Sequence, residues 1–307
     1  MFKEVIIFIV ACLVLVKSAE YAVKSVEHIA RFLRLTEFVT SFLLVALVSA
    51  MPEGLISLIS SLKGDPGIGV GTLLGGNIAD LTLILGLVTL AGHPIKIHSS
   101  IIKKDLYFAI LILLPIILGL NGIISRVDGI ILLAAGIGFL ITLLKERQYF
   151  HKPFQMKDHW IKHFIIFTIS IAIMLLSAYF IVQSSHSLSI EIGIPSLIIG
   201  LILVALGTTM PEFVFSLQSV RAGHGDMAIG DILGVVVVDA CIMMGMLALI
   251  SPITVNVYIL SIIGVFTFLA VLFALLFMRS DGMLTKNEAL TMVFLYIAFV
   301  VVQILMR

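Results

Sequence analysis

Apolar residues in this chain fall in long runs rather than at alternate positions. The runs lie near residues 5–24, 39–62, 68–91, 104–121, 128–145, 160–183, 196–220, 227–250, 255–278 and 288–306. Each is of the order of the ~20 residues an α-helix needs to cross the hydrocarbon core of a bilayer. The pattern predicts an all-α integral membrane protein with ten transmembrane helices. The connections are short, and the longest, 146–159, is too small to be a domain, so 1–307 reads as a single membrane domain. The first run follows Met1-Phe2-Lys3-Glu4, is longer than a signal-peptide core and is followed by no small-residue cleavage pattern. It is expected to remain in the mature chain.

Composition agrees. Charged residues make up 12% of the chain and mean hydropathy is +1.23, where a soluble domain carries about 25% charged residues. A net charge of +1 and a pI of about 7.8 offer no basic surface for nucleic acid and no acidic tail. Cys12 and Cys241 lie inside apolar runs, where they read as packing residues rather than disulfide or metal ligands.

Lys and Arg placement orients the helices. One set of connections holds Arg31, Arg34, Lys96, Lys103, Lys104, Lys145, Arg147, Lys152, Lys157, Lys162, Arg221, Arg279 and Lys286. The other holds Lys3, Lys63, Arg126 and Arg307, while Lys17 and Lys24 sit on the first helix and can snorkel to an interface. The expectation is a multi-pass plasma-membrane protein with both termini outside the cytoplasm.

The chain also repeats itself. Residues 42–53 read FLLVALVSAMPE and residues 201–212 read LILVALGTTMPE, identical at seven of twelve positions at an offset of 159. The same offset pairs Gly64 with Gly223, Gly71 with Gly230, Gly75 with Gly234 and Asp80 with Asp239. Five helices separate the copies, so the second is expected to run through the membrane in the opposite sense. Repeat 1 covers about 1–145 and repeat 2 about 160–307, joined by a short cytoplasmic linker at 146–159. Inverted repeats of this kind build many secondary transporters, with the substrate site where the repeats meet.

The repeated segments carry the chemistry. Pro52-Glu53 and Pro211-Glu212 each fall in the middle of an apolar helix, and a proline there leaves the carbonyl four residues back unbonded. The carbonyls of Val48 and Gly207 are expected to be freed and their surroundings unwound. Helical spacing places Ala46, Ser49 and Glu53 on one face, and Ala205, Thr208 and Glu212 on its counterpart. Carboxylates, hydroxyls and carbonyls are hard oxygen ligands, suited to Ca²⁺ or Na⁺ rather than to softer metals. Back-bonding to the helix is an equally good account of each of Ser49, Thr208 and Thr209. It does not serve for Glu53 and Glu212, because an ionisable group at mid-bilayer costs at least ~2.5–3.5 kcal/mol and marks function by default. Asp80 and Asp239 add two more acids, and Asn77 shares the face of Asp80. The glycines between them allow close helix approach. Asp231 reads as a helix-start charge favoured by the dipole, and the eight histidines as surface residues near helix ends.

These segments resemble the repeats of the calcium/cation antiporter superfamily, most closely its sodium/calcium exchanger branch. The match is clearest at Gly207-Thr208-Thr209-Met210-Pro211-Glu212, is looser at Val48-Ser49-Ala50-Met51-Pro52-Glu53, and extends over nearly the whole chain. The resemblance implies a Ca²⁺ site built from Glu53 and Glu212 with Ser49 and Thr208, flanking monovalent-ion sites, and alternating access by sliding of the first and sixth helices. Gly76 and Val235 stand where the family commonly has serine, and Ala50 replaces a hydroxyl residue. That leaves the counter-ion open between Na⁺ and H⁺. Four carboxylates around one Ca²⁺ leave two charges unbalanced, so Asp80 and Asp239 are expected to share or carry a proton.

Two other classes remain. A divalent-cation channel would use the same acids as a filter. An intramembrane enzyme would lack any visible nucleophile or zinc ligand set. No HExxH motif, P-loop or Gly-x-Ser-x-Gly occurs, so a transporter is expected rather than an enzyme. No cofactor is expected beyond the transported Ca²⁺ with Na⁺ or H⁺, and no obligatory protein partner beyond the lipid bilayer.

Overall fold

A computed structural model describes residues 2–32, 45–92, 95–96, 105–145, 160–223, 225–279 and 283–306. The linker at 146–159 and residues 39–44 of the second apolar run lie outside these. Helix occupies each of the ten apolar runs. The elements are α1 (Phe2–Phe32), α2 (Ala46–Ser49), α3 (Met51–Leu62), α4 (Pro66–Ala79), α5 (Leu85–Ala91), α6 (Asp105–Gly119) and α7 (Arg126–Lys145). They continue as α8 (Trp160–Ile192), α9 (Ser196–Ile199), α10 (Ala205–Thr208), α11 (Met210–Arg221), α12 (Gly225–Val237), α13 (Met244–Ile250), α14 (Val257–Arg279) and α15 (Lys286–Leu305). Wider π-helical segments join α4 to α5 (Asp80–Ile84), α9 to α10 (Gly200–Val204) and α12 to α13 (Val238–Met243).

Among the described residues, seven helical spans are long and apolar enough to cross a membrane, and two apolar helices, Ala46–Leu62 and Tyr107–Gly119, are shorter. The outer faces are greasy: Leu13, Leu176, Phe294 and Leu305 are each at least 60% exposed. On a multi-pass protein such a surface is solvated by lipid rather than water. At 31 and 33 residues, α1 and α8 are roughly 46 and 50 Å long, well over a ~30 Å hydrocarbon core. They lie against each other, Ala11 and Leu15 packing with Ala178, Ile181 and Val182. Near the end of α1, His28 stacks on His163 near the start of α8, ring centroids 4.0 Å apart, so the two helices are antiparallel.

The inner helices repeat their packing at nearly the offset seen in the sequence. α3 packs on α4 and α11 on α12, while α4 packs on α10 of the other half and α12 on α2. The Ser57 hydroxyl donates to the Gly69 carbonyl at 3.2 Å, and its counterpart Ser216 approaches the Ala228 carbonyl at 3.5 Å. Gly64 and Gly223, with φ of 79° and 86°, end α3 and α11 in the left-handed conformation that glycine adopts freely. Ser125 and Asp128 cap α7 reciprocally, as Thr285 and Glu288 cap α15, so the offset in this part is 160. Two short antiparallel ladders pair connections: Ile95–Lys96 with Met283–Leu284, and Ile123–Ile124 with Ile253–Thr254.

Close approach at the centre depends on glycine. A Cβ on Gly71 would strike the carbonyl of Leu197, and one on Gly75 the carbonyl of Leu201. A side chain at position 75 would thus push α4 off the π segment of the other half. Gly75→Leu is expected to destabilise the fold by about 3 kcal/mol, as overpacking of a tight core does. Gly138→Ala, whose Cβ meets only the Tyr107 hydroxyl at 3.8 Å, should behave like wild type. Thermal unfolding in detergent compares the two, and equal midpoints would contradict this packing.

Candidate cation site at the broken helices

Each repeated proline sits just beyond a break in its helix. Ala50, with ψ of −8°, separates α2 from α3, and Thr209, with ψ of 1°, separates α10 from α11. The interruption is confined to one residue in each repeat, not the unwound stretch that the prolines suggest. Hydrogen bonds resume at once: Ala50 N–H donates to Ala46 O and Gly54 N–H to Ala50 O, both at 3.0 Å. The missing proline N–H at 52 and 211 falls in the first turn of the new helix, where a donor has no intrahelical acceptor. The chain therefore turns slightly while little backbone bonding is lost, and Glu53 and Glu212 enter the first turn of α3 and α11.

Both glutamates are buried, 1% and 0% exposed, as are Asp80 and Asp239 at the start of their π segments. All eight of their carboxylate oxygens lack a hydrogen-bond partner among the described residues. The groups are within electrostatic reach of one another: Asp80 and Asp239 of Glu53, and Glu212 of both Glu53 and Asp80. Gly76 marks the middle. A Cβ there would lie 3.8 Å from Thr209 Cγ2, 3.9 Å from Glu53 Cγ and 4.0 Å from Asp239 Oδ2. The two halves thus bring Glu53, Thr209 and Asp239 around a single glycine.

The hydroxyls divide. Thr208 back-bonds to Ala205 O at 3.1 Å, with the Glu53 carboxylate beside it. Ser49 and Thr209 Oγ are buried without a partner. Ala46 and Ala205 are fully buried, and their carbonyls accept from Ala50 and Thr209 N–H across the breaks. Among the described residues, no three His, Cys, Asp or Glu side chains gather tightly enough to hold a metal alone. A bound cation would have to complete its shell from hydroxyls and carbonyls, which Ca²⁺, with six to eight oxygen ligands, accepts readily.

Sequence reasoning misjudged one residue. Asp231 is not a charge at a helix start: it lies half-way along α12, is 0% exposed, and is within electrostatic reach of Asp80 and Glu212. Its apolar flanks, Ala228-Ile229 and Ile232-Leu233, were the available signal. The described histidines fit the surface reading: His186, 53% exposed, binds Asp65 at 2.7 Å through Nδ1.

Helical spans with a buried acidic centre define a multi-pass membrane protein of the transporter class. The chain matches the family model for sodium/calcium exchanger proteins over residues 3–145 and 162–305, and it belongs to that family. It is 28% identical over 263 residues to the inner membrane protein YrbG of Escherichia coli (strain K12), covering 80% of this chain and 79% of that one. It is 25% identical to the sodium/calcium exchanger MaX1 of Methanosarcina acetivorans, over 97% of both chains. Among solved structures it shares the fold of the sodium-calcium exchanger NCX_Mj soaked with Na⁺ and Sr²⁺, with TM-score 0.71, 23% identity and 97% of each chain covered.

The space around Gly76 makes a direct prediction. Contacts of 3.8–4.0 Å are ordinary van der Waals contact for an added Cβ, so Gly76→Ala should fold with a thermal midpoint near that of wild type. A large loss of stability would show that the centre is tighter than this geometry.

Proposed function

We propose that this protein is a secondary antiporter that exchanges Ca²⁺ for a monovalent cation by alternating access, with Glu53 and Glu212 as the principal Ca²⁺ ligands. The observation that carries the reading is two buried, unpartnered glutamates, each in the first turn after a helix break, at equivalent positions of two repeats. Two carboxylates balance one divalent charge, which removes the main cost of holding them in a low dielectric. Ser49 and Thr209 supply free hydroxyls, and Thr208 sits beside Glu53 with its proton already engaged. Asp80 and Asp239 take the counter-ion side of the site, with Asn77 next to Asp80. A dry, flexible oxygen cage favours Ca²⁺ over Mg²⁺, which demands strict octahedral geometry and sheds water reluctantly. The names of MaX1 and NCX_Mj support Na⁺ as the exchanged ion.

The proposal includes ten crossings in two inverted repeats, about 1–145 and 160–307, within one membrane domain. The ladders support it. In a ten-span chain, the connections after the third and ninth spans share one side, and those after the fourth and eighth share the other, as the β pairings require. Asp65, after the second span, meets His186 and Ser196 around the sixth connection, again on one side. The Lys/Arg bias supports a plasma-membrane protein with both termini outside the cytoplasm. The long pair α1 and α8, packed beside the broken helices, is suited to slide as a unit and expose the site to alternate sides.

A second reading, Ca²⁺/H⁺ exchange, is favoured by Gly76 and Val235, which leave no hydroxyl where the family commonly has serine. Asp80 and Asp239 would then carry the proton. Ca²⁺ flux into liposomes holding the purified protein decides, driven by a Na⁺ gradient or by a pH gradient without Na⁺. Flux that needs Na⁺ is expected; flux with protons alone selects the second reading. Current without counter-transport would indicate a channel. Glu53→Gln and Glu212→Gln should each weaken Ca²⁺ activation roughly 100-fold, in line with the ~3 kcal/mol cost of breaking a buried charge pair. Wild-type Ca²⁺ dependence in either variant would remove that glutamate from the site. Under Ca²⁺/H⁺ exchange, Asp80→Asn should also shift the pH profile of flux, and an unmoved profile would exclude Asp80 as the proton carrier.

A further inference from the structure

The two halves of the centre differ in one respect that their repeat does not predict. On the Asp80 side, α15 lies along the Asp80–Ile84 segment and α5. It carries Tyr296, 4% exposed and packed on Phe299 with ring centroids 6.0 Å apart. The Tyr296 hydroxyl has no hydrogen-bond partner among the described residues and lies within electrostatic reach of Asp80. One helical turn before Asp80, Asn77 is 1% exposed, and its Oδ1 also lacks a partner. Two turns beyond Tyr296 on the same face of α15, Gln303 is 2% exposed with Nε2 unpartnered.

These positions are apolar in the repeat that holds Asp239. At the offset of 159, the counterpart of Asn77 is Val236. At the offset of 160 set by the helix caps, Tyr296 corresponds to Gly136 and Gln303 to Leu143. Gly136 packs where a Cβ would come within 2.9 Å of Cys241 Cβ and 2.8 Å of Ile242 Cγ1, so no side chain fits there. The parallel contact of Gly86 with the Ala289 carbonyl and Gly245 with the Gly129 carbonyl shows that these faces are equivalent. At positions 236 and 136 the Asp239 half is apolar where the Asp80 half has Asn77 and Tyr296, while Asp231 on α12 is buried within electrostatic reach of Asp80.

Buried polar atoms without partners cost free energy, ~1–3 kcal/mol each, unless something else satisfies them. Two such oxygens beside Asp80, Asn77 Oδ1 and the Tyr296 hydroxyl, matched by Val236 and Gly136 in the other repeat, point to an occupant. We propose that Asp80, Asn77 Oδ1 and the Tyr296 hydroxyl form a one-sided site for a monovalent alkali cation, with α15 supplying a ligand from outside the repeated motif. The donor set suits that charge: one carboxylate ligand with two neutral oxygens, the neighbouring Glu53 and Asp231 acting on Asp80 through space rather than as ligands. Gln303 Nε2 is a donor and does not ligate. The site supplies oxygens that Ala50, Gly76 and Val235 do not, so Na⁺ coupling does not depend on serines at those positions. The inference rests on the cation-exchange reading above.

The test reads ion binding without transport. Thermal unfolding of the purified full-length protein in detergent is titrated with NaCl or KCl, using choline chloride to hold ionic strength and a chelator to remove Ca²⁺. A separate titration uses CaCl₂ alone. Wild type should be stabilised by Na⁺ or K⁺. Tyr296→Phe keeps the ring and removes only the hydroxyl. It should raise the half-saturating alkali-ion concentration roughly tenfold, the effect of losing ~1.4 kcal/mol, and leave the Ca²⁺ titration unmoved. Asn77→Val, which installs the residue of the other repeat, should do the same; if that variant fails to fold, Tyr296→Phe decides alone. Alkali-ion titrations identical to wild type in the folded variants would overturn the site. A wild type that responds to Ca²⁺ but to neither alkali ion would overturn it while sparing the divalent reading. Response to no ion would overturn both.

Discussion

Four carboxylates without hydrogen-bond partners, buried among apolar helices, set the terms for the rest of this molecule. An ionised carboxylate removed from water loses hydration worth several kcal/mol even after relaxation, and like charges nearby add to that cost. Such a centre persists only if a cation completes it or protons neutralise it, and only if the surrounding helices hold it closed. The glycine faces of α4 and the breaks at Ala50 and Thr209 serve the second requirement. The glycines let α4 run against the backbone of the opposite half, and the breaks turn Glu53 and Glu212 inward with little backbone bonding lost. Cation exchange is then the natural use of the centre, because the same ion that stabilises it must leave for the next to enter.

Two-fold repetition underlies the proposed alternating access. Equivalent serine contacts, left-handed glycines and helix caps recur in both halves, and each β ladder joins one half to the other. The departures from symmetry are informative for the same reason. Where the repeat places Tyr296 and Asn77 against Gly136 and Val236, the halves cannot bind the same ions in the same way. The proposed division of labour, a divalent ion between the glutamates and a monovalent ion on the α15 side, follows that asymmetry.

Much of this was legible in the sequence, because its physics is one-dimensional. Long apolar runs announce helices wherever lipid is the solvent, and the offset of 159 aligns both Pro-Glu pairs and both aspartates without any structure. The rest depended on the third dimension. The prolines pointed to an unwound stretch, yet placed in the first turn of a new helix they sacrifice almost nothing, and the break shrinks to one residue. Asp231 read as a helix-start charge because it lies four residues into the apolar run at 227–250, yet α12 begins at Gly225 and packs Asp231 fully buried at its middle. Ser49, Thr208 and Thr209 were indistinguishable as letters; only geometry shows that Thr208 spends its proton on Ala205 while the other two keep theirs. Tyr296 carried no signal at all, since a lone tyrosine in a tenth apolar run resembles an interfacial anchor until α15 is seen lying along Asp80.

The central claim is that one divalent cation sits between Glu53 and Glu212. Crystals of the protein soaked with Sr²⁺, a Ca²⁺ surrogate with strong anomalous scattering, test it most directly. The account predicts a single dominant anomalous peak bridging the two carboxylates at roughly the 2.3–2.6 Å typical of Ca²⁺–oxygen distances, with hydroxyl and carbonyl oxygens from the broken helices around it. A dominant peak away from both glutamates, or none at saturating Sr²⁺, would contradict it.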